Sequence, residues 1–286
     1  MIKTAAECLM ERETRVAAGP VPRALFGDPL FPTSWQVKEN EFLLRGEGDH
    51  YFHYRIGDGI TIDRGADADL SEETLWLNGS VYAAIASLNG LLPLHASAVA
   101  LDGQVFAFAG PAGAGKSTLV AALGDRGLPM FCDDTLILDL SDPERIICLP
   151  GHKRMKLRQD ALEMTGATQQ EKVSQTVDKF YASPTAGDVN IALPLARLIF
   201  LEDGEPTEIA LISGSERFVR VQDDHYTADL FSAARRLDRA DNFAHLSRLA
   251  NQIAMARFIR PRDPTRFDDG VTYAARYITE VAGELK

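Results

Sequence analysis

The chain has 286 residues, enough for one large domain or two modest ones with a buried core, and its 45% hydrophobic and 25% charged residues are ordinary for a globular protein. A formal net charge of −11 argues against a general affinity for nucleic acid or for an anionic membrane, while leaving room for a local basic pocket. The three cysteines, Cys8, Cys132 and Cys148, are scattered and make neither a zinc spacing nor a disulfide framework, so reduced thiols are expected.

In chain order, the N-terminus lacks the apolar stretch of a signal peptide and no segment approaches ~18 continuous apolar residues, so a cytoplasmic protein with no membrane association is expected. Residues 1–90 mix Gly and Pro with the short runs Phe42–Arg45, Tyr51–Arg55 and Ile60–Asp63, which predict strands with a turn at Gly57-Asp58-Gly59. Ser71, followed by Glu72 and Glu73, opens a predicted helix reaching Leu88, with Leu75, Leu77, Val81 and Ile85 as its apolar stripe. This makes 1–90 a β-rich N-terminal region ending in a helix, and 91–286 a second region.

In the second region, Ala96–Leu101 and Val105–Ala109 predict strands either side of a turn at Asp102-Gly103. The latter run is almost wholly apolar, as suits a strand buried on both faces. A glycine-rich loop leads into a predicted helix, Lys116–Asp125, closed by Gly127 as a left-handed cap. Leu128–Cys132 predicts a strand that stops at Asp133-Asp134, and Thr135–Leu140 pairs with Arg145–Leu149 about Asp142-Pro143. Residues 163–190, polar and holding Pro184 and Gly187, predict a mobile connection or lid. Leu195–Glu202 predicts the final strand, followed by a mostly helical end from about Tyr226 to Ala256 and a last helix near Val271–Leu285.

Gly110-Pro-Ala-Gly-Ala-Gly-Lys-Ser117 satisfies G-x-x-x-x-G-K-[ST], between an apolar strand and a helix, the context that separates this motif from a chance turn. Gly110, Ala112, Gly113, Ala114 and Gly115 would turn backbone N–H groups onto phosphate oxygens, backed by the positive end of the helix. Lys116 would reach the terminal phosphates, the Ser117 hydroxyl would ligate Mg²⁺, and Thr118 would support the helix start. Asp133 and Asp134 follow the next strand. A parallel βαβ arrangement would set that strand beside the loop's own, bringing one carboxylate to Mg²⁺ and the other to the proton of an incoming hydroxyl. Spacing does not assign which does which. The run His152–Arg158 is the densest positive cluster, and Lys153 or Arg154 is expected to stabilise phosphate or to capture an acidic group of the substrate. Lys179 and the group Arg257, Arg260 and Arg262 are secondary candidates, and His225 and His245 are read as structural.

Leu94-His-Ala-Ser-Ala-Val99, Phe108–Leu119 and Arg126–Asp134 together resemble the HPr serine kinase family, and more closely its relatives outside the HPr context, including kinases of lasso-peptide gene clusters. The resemblance is strongest over about 90–140 and continues through Leu149–Lys156, Asp160-Ala-Leu162 and Arg257–Arg262. It implies an α/β fold with the P-loop core of HPr kinase and phosphoenolpyruvate carboxykinase, Mg²⁺ and ATP as cofactors, and transfer of the γ-phosphoryl group to a serine hydroxyl. On that pattern His95 matches an active-site histidine, Lys116 and Ser117 the loop residues, and Asp133-Asp134 the acidic pair, with Asp133 as favoured base and Asp134 as metal ligand. HPr kinases proper carry Glu after the loop serine where this chain has Thr118, and their later phosphorylase-linked loop has no counterpart here, so neither HPr as acceptor nor the reverse reaction is implied. The expected acceptor is a peptide or small protein, with the C-terminal serine of a lasso precursor as the specific expectation and a homo-oligomer as the expected state. The alternatives are a small-molecule kinase acting on serine or a sugar, and a nucleotide-dependent regulatory module.

Overall fold

Thr4 starts the first helix by a reciprocal cap: its hydroxyl accepts from the Glu7 N–H at 3.1 Å, and the Glu7 carboxylate accepts from the Thr4 N–H at 2.7 Å. This helix, α1 (Ala5–Glu13), lies in the region read from sequence as β-rich, ahead of the first run assigned there at Phe42. The computed structural model describes residues 3–46, 49–66, 70–174, 177–183, 185–222, 233–234 and 239–286. Pro184, His225 and much of the helix expected from Tyr226 lie outside them. The chain divides into two units, Met1–Pro93 with Thr227–Asn242, and Leu94–Tyr226 with Phe243–Lys286.

In the first unit, β1 (Val16–Ala18), β2 (Ser34–Val37), β3 (Glu41–Arg45), β4 (Tyr51–Arg55) and β5 (Gly59–Asp63) form one sheet in the order β1-β5-β4-β3-β2. Every pairing is antiparallel except β1 with β5. Register sets Phe42 opposite Tyr54 and Phe52 opposite Ile62, so these fully or almost fully buried side chains share a face. The buried Glu13 ties α1 to this sheet, accepting from the Tyr54 hydroxyl and the Gly57 N–H, each at 2.8 Å. The predicted helix 71–88 is present as α2 (Leu70–Trp76), a π turn (Leu77–Val81) and α3 (Tyr82–Leu88). The π turn widens one turn by a residue and so rotates the phase of α3 relative to α2. The buried residues are accordingly Glu73, Gly79, Val81 and Ala83–Ala86, while Leu75 and Leu77 are only half-buried. Arg64 grips Glu73 with two hydrogen bonds, of 2.7 and 2.8 Å, and the buried His50 lies 2.9 Å from the same carboxylate.

A strand β6 (Leu92–Leu94) falls across the boundary of the units. The second unit then opens with a hairpin, β7 (Ala96–Leu101) and β8 (Gln104–Ala109), closed by Asp102 and Gly103 at φ 50° and 75°, the paired left-handed residues that match strand twist. After α4 (Lys116–Gly124) come β9 (Met130–Cys132), β10 (Leu136–Asp139), β11 (Ile147–Leu149), β12 (Met155–Leu157) and α5 (Gln159–Glu163). The chain continues through β13 (Thr168–Lys172), β14 (Phe180–Ser183), β15 (Leu193–Asp203), β16 (Glu208–Ile212), α6 (Glu216–Gln222), α7 (Arg239–Gln252), β17 (Ala254–Arg260) and α8 (Phe267–Glu284). The main sheet runs β10-β11-β15-β8-β7-β9, and β15 also pairs with β17, which pairs with β16. β8, β15 and β17 are parallel, and Phe106, Phe108, Ile199, Leu201 and Phe258 pack with α4 and the apolar face of α8. The fold is thus mixed α/β with several sheets.

Several sequence expectations change. Leu195–Glu202 is not the last strand, since β16 and β17 come after it, and Ala254–Ala256 is strand rather than helix. The polar segment 163–190 contains β13 and β14, which join β12 in a three-stranded antiparallel sheet. Most consequential, β9 does not lie beside β8. The tight hairpin gives that edge of β8 to β7, and β9 pairs with β7 instead, antiparallel to it. No helix among the described residues is long and apolar enough to cross a membrane.

Candidate active site

Because β7 runs opposite to β8, the start of β7 lies next to the end of β8, with Ala96 opposite Ala109 and Ala98 opposite Cys132 of β9. His95 and Ser97 therefore stand between the glycine-rich loop and the two aspartates just past β9. The acid pair reaches the loop across β7 rather than from an adjacent strand.

The loop depends on left-handed glycines: Gly113 and Gly115 have φ of 81° and 84°, and Gly115 opens α4. A Cβ on Gly110 would approach the Leu201 carbonyl to 3.3 Å. The helix closes as predicted, with Gly127 at φ 81° and the Leu128 and Gly127 N–H groups bonded to the carbonyls of Leu123 and Gly124.

Lys116 is buried, and its ammonium donates to the Gly110 and Pro111 carbonyls at 2.8 and 3.2 Å. Burial lowers its pKa to about 8 against the opposing pull of Asp133 and Asp134, and the nearby Lys179 charge adds to the lowering. Arg262 and Arg260 also rest on the loop, donating to the Gly113 and Ala114 carbonyls at 2.6 and 2.7 Å. Ser117 and Thr118 lie half-buried in the first turn of α4, while Ala112 and Gly113 are exposed at the tip of the loop.

The buried Asp133 is held at both oxygens, by the Ser97 hydroxyl at 2.6 Å and the Lys156 N–H at 3.1 Å. Asp134 adopts φ 70°, an uncommon left-handed conformation outside glycine. Its carboxylate pairs with the Lys156 ammonium at 2.7 Å, and its carbonyl lies 3.0 Å from His95 Nδ1. A carbonyl only accepts, so that nitrogen carries the proton and orients the ring. Burial pushes the His95 pKa down, and Lys116 adds to the effect. Burial alone would raise the Asp134 carboxyl, but Lys156, His95 and Lys179 together hold it below the ordinary range.

The cluster residue at the acid pair is thus Lys156, which the charge run alone does not single out. Lys153 donates to the Phe131 carbonyl and, at 2.6 Å, to that of Val189; Arg154 pairs with Glu171 and stacks 3.9 Å above Tyr181. These partners belong to β9, β13, β14 and the stretch before β15, not to the loop. The period-two pattern of β12 was the signal available: Met155 and Leu157 point inward, leaving Lys156 on the other face. On the β15 side of the loop, a cavity of about 270 Å³ opens between Pro111, Ala112, Glu202 and Asp203, with Arg220 and Arg262 at its rim.

The donor set fits the group that the sequence resemblance implies. Ser117 and Asp134 offer hard oxygen ligands of the kind Mg²⁺ takes alongside phosphate and water, and the loop offers N–H groups and cations to a polyphosphate. No family model and no curated protein matches the chain. Among solved structures it is similar to the HPr(Ser) kinase/phosphatase from Coxiella burnetii, with 16% identity over 67% of this chain and 93% of that one and a TM-score of 0.36.

Proposed function

We propose that this chain is an ATP-dependent kinase that transfers a γ-phosphoryl group to a serine hydroxyl of a peptide or small protein, with the C-terminal serine of a lasso precursor peptide as the specific acceptor. The observation that carries the reading is Lys116: a buried ammonium on a left-handed glycine loop, with no carboxylate within ion-pair distance among the described residues and the acid pair close enough only to offset part of what burial takes from its pKa. Such a charge is costly to bury without an anion to meet it.

Bound Mg-ATP supplies the transferable phosphoryl group and a divalent charge on its phosphates. The loop N–H groups bind and orient the phosphates, and Lys116 balances the charge that develops on them. Ser117 and Asp134 would hold the metal. Asp133, fixed by Ser97 and the Lys156 backbone, accepts the proton of the attacking hydroxyl. Lys156 and His95 orient Asp134.

The test is incubation with Mg-ATP and peptides ending in serine, read by intact mass and fragmentation. A gain of one phosphate on the terminal serine, absent with Lys116→Ala, is expected. Mass gain on no peptide, with ATP binding intact, would reject the peptide acceptor in favour of a small molecule or a regulatory role.

A further inference from the structure

Three cations rest on four carbonyls of the loop: Lys116 on Gly110 and Pro111, Arg262 on Gly113, and Arg260 on Ala114. Arg262 is largely exposed and also lies 3.4 Å from the Asp203 carboxylate. Arg260 differs. Its Nε is enclosed without a hydrogen-bond partner, and among the described residues no carboxylate lies within ion-pair distance of its guanidinium. Burial lowers its pKa, and the Arg262 charge works in the same direction against Asp203.

Topology explains how it arrives there. β17 is parallel to β15, which is parallel to β8, so Arg260 leaves the sheet at the same end as the loop. It enters from the β15 side, whereas His95, Ser97 and the aspartates approach from the β7 side. A Cβ on Gly115 would stand 3.0 Å from Arg260 Nη2, which places the guanidinium against the residue that opens α4. A neutral carbonyl occupies one of its five N–H donors, and a phosphate oxygen competes for that position with a full charge.

We infer that Arg260 is a phosphate-binding residue: its guanidinium turns from the Ala114 carbonyl onto the polyphosphate chain of the bound nucleotide, opposite Lys116. The inference rests on the kinase reading of the loop. Arg260 supplies N–H donors and charge from the wall facing the acid pair, and binding compensates a guanidinium that has no ion pair among the described residues.

Competition against a fluorescent ATP analogue tests this with Mg-ATP, inorganic tripolyphosphate and AMP, on wild type, Arg260→Met and Arg260→Lys. Arg260→Met is expected to weaken ATP and tripolyphosphate by about tenfold or more, with AMP changed less than about threefold. Arg260→Lys, which keeps the charge and loses the planar fork, is expected between the two, and it carries the same comparison if the Met variant does not fold. Equal losses for ATP and AMP would make Arg260 a brace of the loop and overturn the inference, as would unchanged binding by either variant. Both of those results leave the kinase reading standing. Failure of wild type to bind any of the three ligands overturns the inference and the kinase reading together.

Discussion

The Ser97 hydroxyl donates to Asp133 Oδ1 across 2.6 Å, joining the start of β7 to the residue just past β9. The bond is fully buried, and the Lys156 N–H takes the other carboxylate oxygen. Removing the hydroxyl frees the carboxylate to rotate and leaves one buried oxygen unmet. Ser97→Ala is therefore expected to cost about 1–3 kcal/mol of stability and to lower kcat roughly tenfold or more with little change in nucleotide affinity. Steady-state kinetics alongside urea unfolding would check this, and an unchanged kcat would detach Ser97 from the chemistry.

Asp133→Asn keeps the shape and one acceptor oxygen but cannot take a proton. Phosphoryl transfer is expected to fall by at least about a hundredfold while ATP still binds. A variant with wild-type transfer would remove Asp133 as the base.

Gly115 sits at φ 84° with Arg260 against it. Gly115→Ala adds a Cβ in the left-handed region, for which about 1–2 kcal/mol of strain is expected, together with weaker ATP binding. Thermal unfolding with and without nucleotide measures both effects. A variant as stable and as tight-binding as wild type would show that the loop does not need that conformation.

His152 lies half-buried with its Nε2 enclosed, and loss of solvent first, then the Lys156 and Lys153 charges, lowers its pKa from 6.5 to about 4. Between those values the unfolded chain takes up a proton that the folded chain refuses. Stability therefore falls as pH drops from 6.5 towards 4, by roughly 3 kcal/mol in all, and this contribution is level outside the window. His152→Asn should flatten that part of the profile when urea midpoints are compared at neutral and acid pH; an unaltered slope would assign it to other groups.

In the first unit, Glu13→Ala strips the Tyr54 hydroxyl and the Gly57 N–H of a shared acceptor. A loss of about 2–4 kcal/mol is expected from denaturant unfolding. A loss under about 0.5 kcal/mol would mean that α1 docks without it.

The features legible from sequence are local ones. Gly110–Ser117 is contiguous, and Asp102-Gly103 announces its hairpin through the residue types that a tight turn requires. The cap Thr4-x-x-Glu7 is equally local, yet it stands before a helix too short and too weakly amphipathic to declare itself. By contrast β17, Ala254-Met-Ala-Arg-Phe-Ile-Arg260, contains good helix formers, and its extended form comes from β15 and β16 on either side. The site's supporting contacts join residues far apart in the chain: 22 positions for Lys156 and Asp134, 36 for Ser97 and Asp133, and 146 for Arg260 and Ala114. No spacing rule reaches that far. The departure from a simple βαβ order has the same origin, since which strand claims the edge of β8 is decided by the hairpin.

Cys132 and Cys148 lie inside β9 and β11, where burial pushes both thiols up, while Cys8 stands exposed on α1. A thiol reacts as its anion and only where a reagent can reach it. A maleimide dye near neutral pH thus has a single address on the native chain, in the unit that does not hold the glycine-rich loop. The natural protein can carry one fluorophore for anisotropy or surface tethering with no cysteine removed, and uptake of a second or third dye would report unfolding.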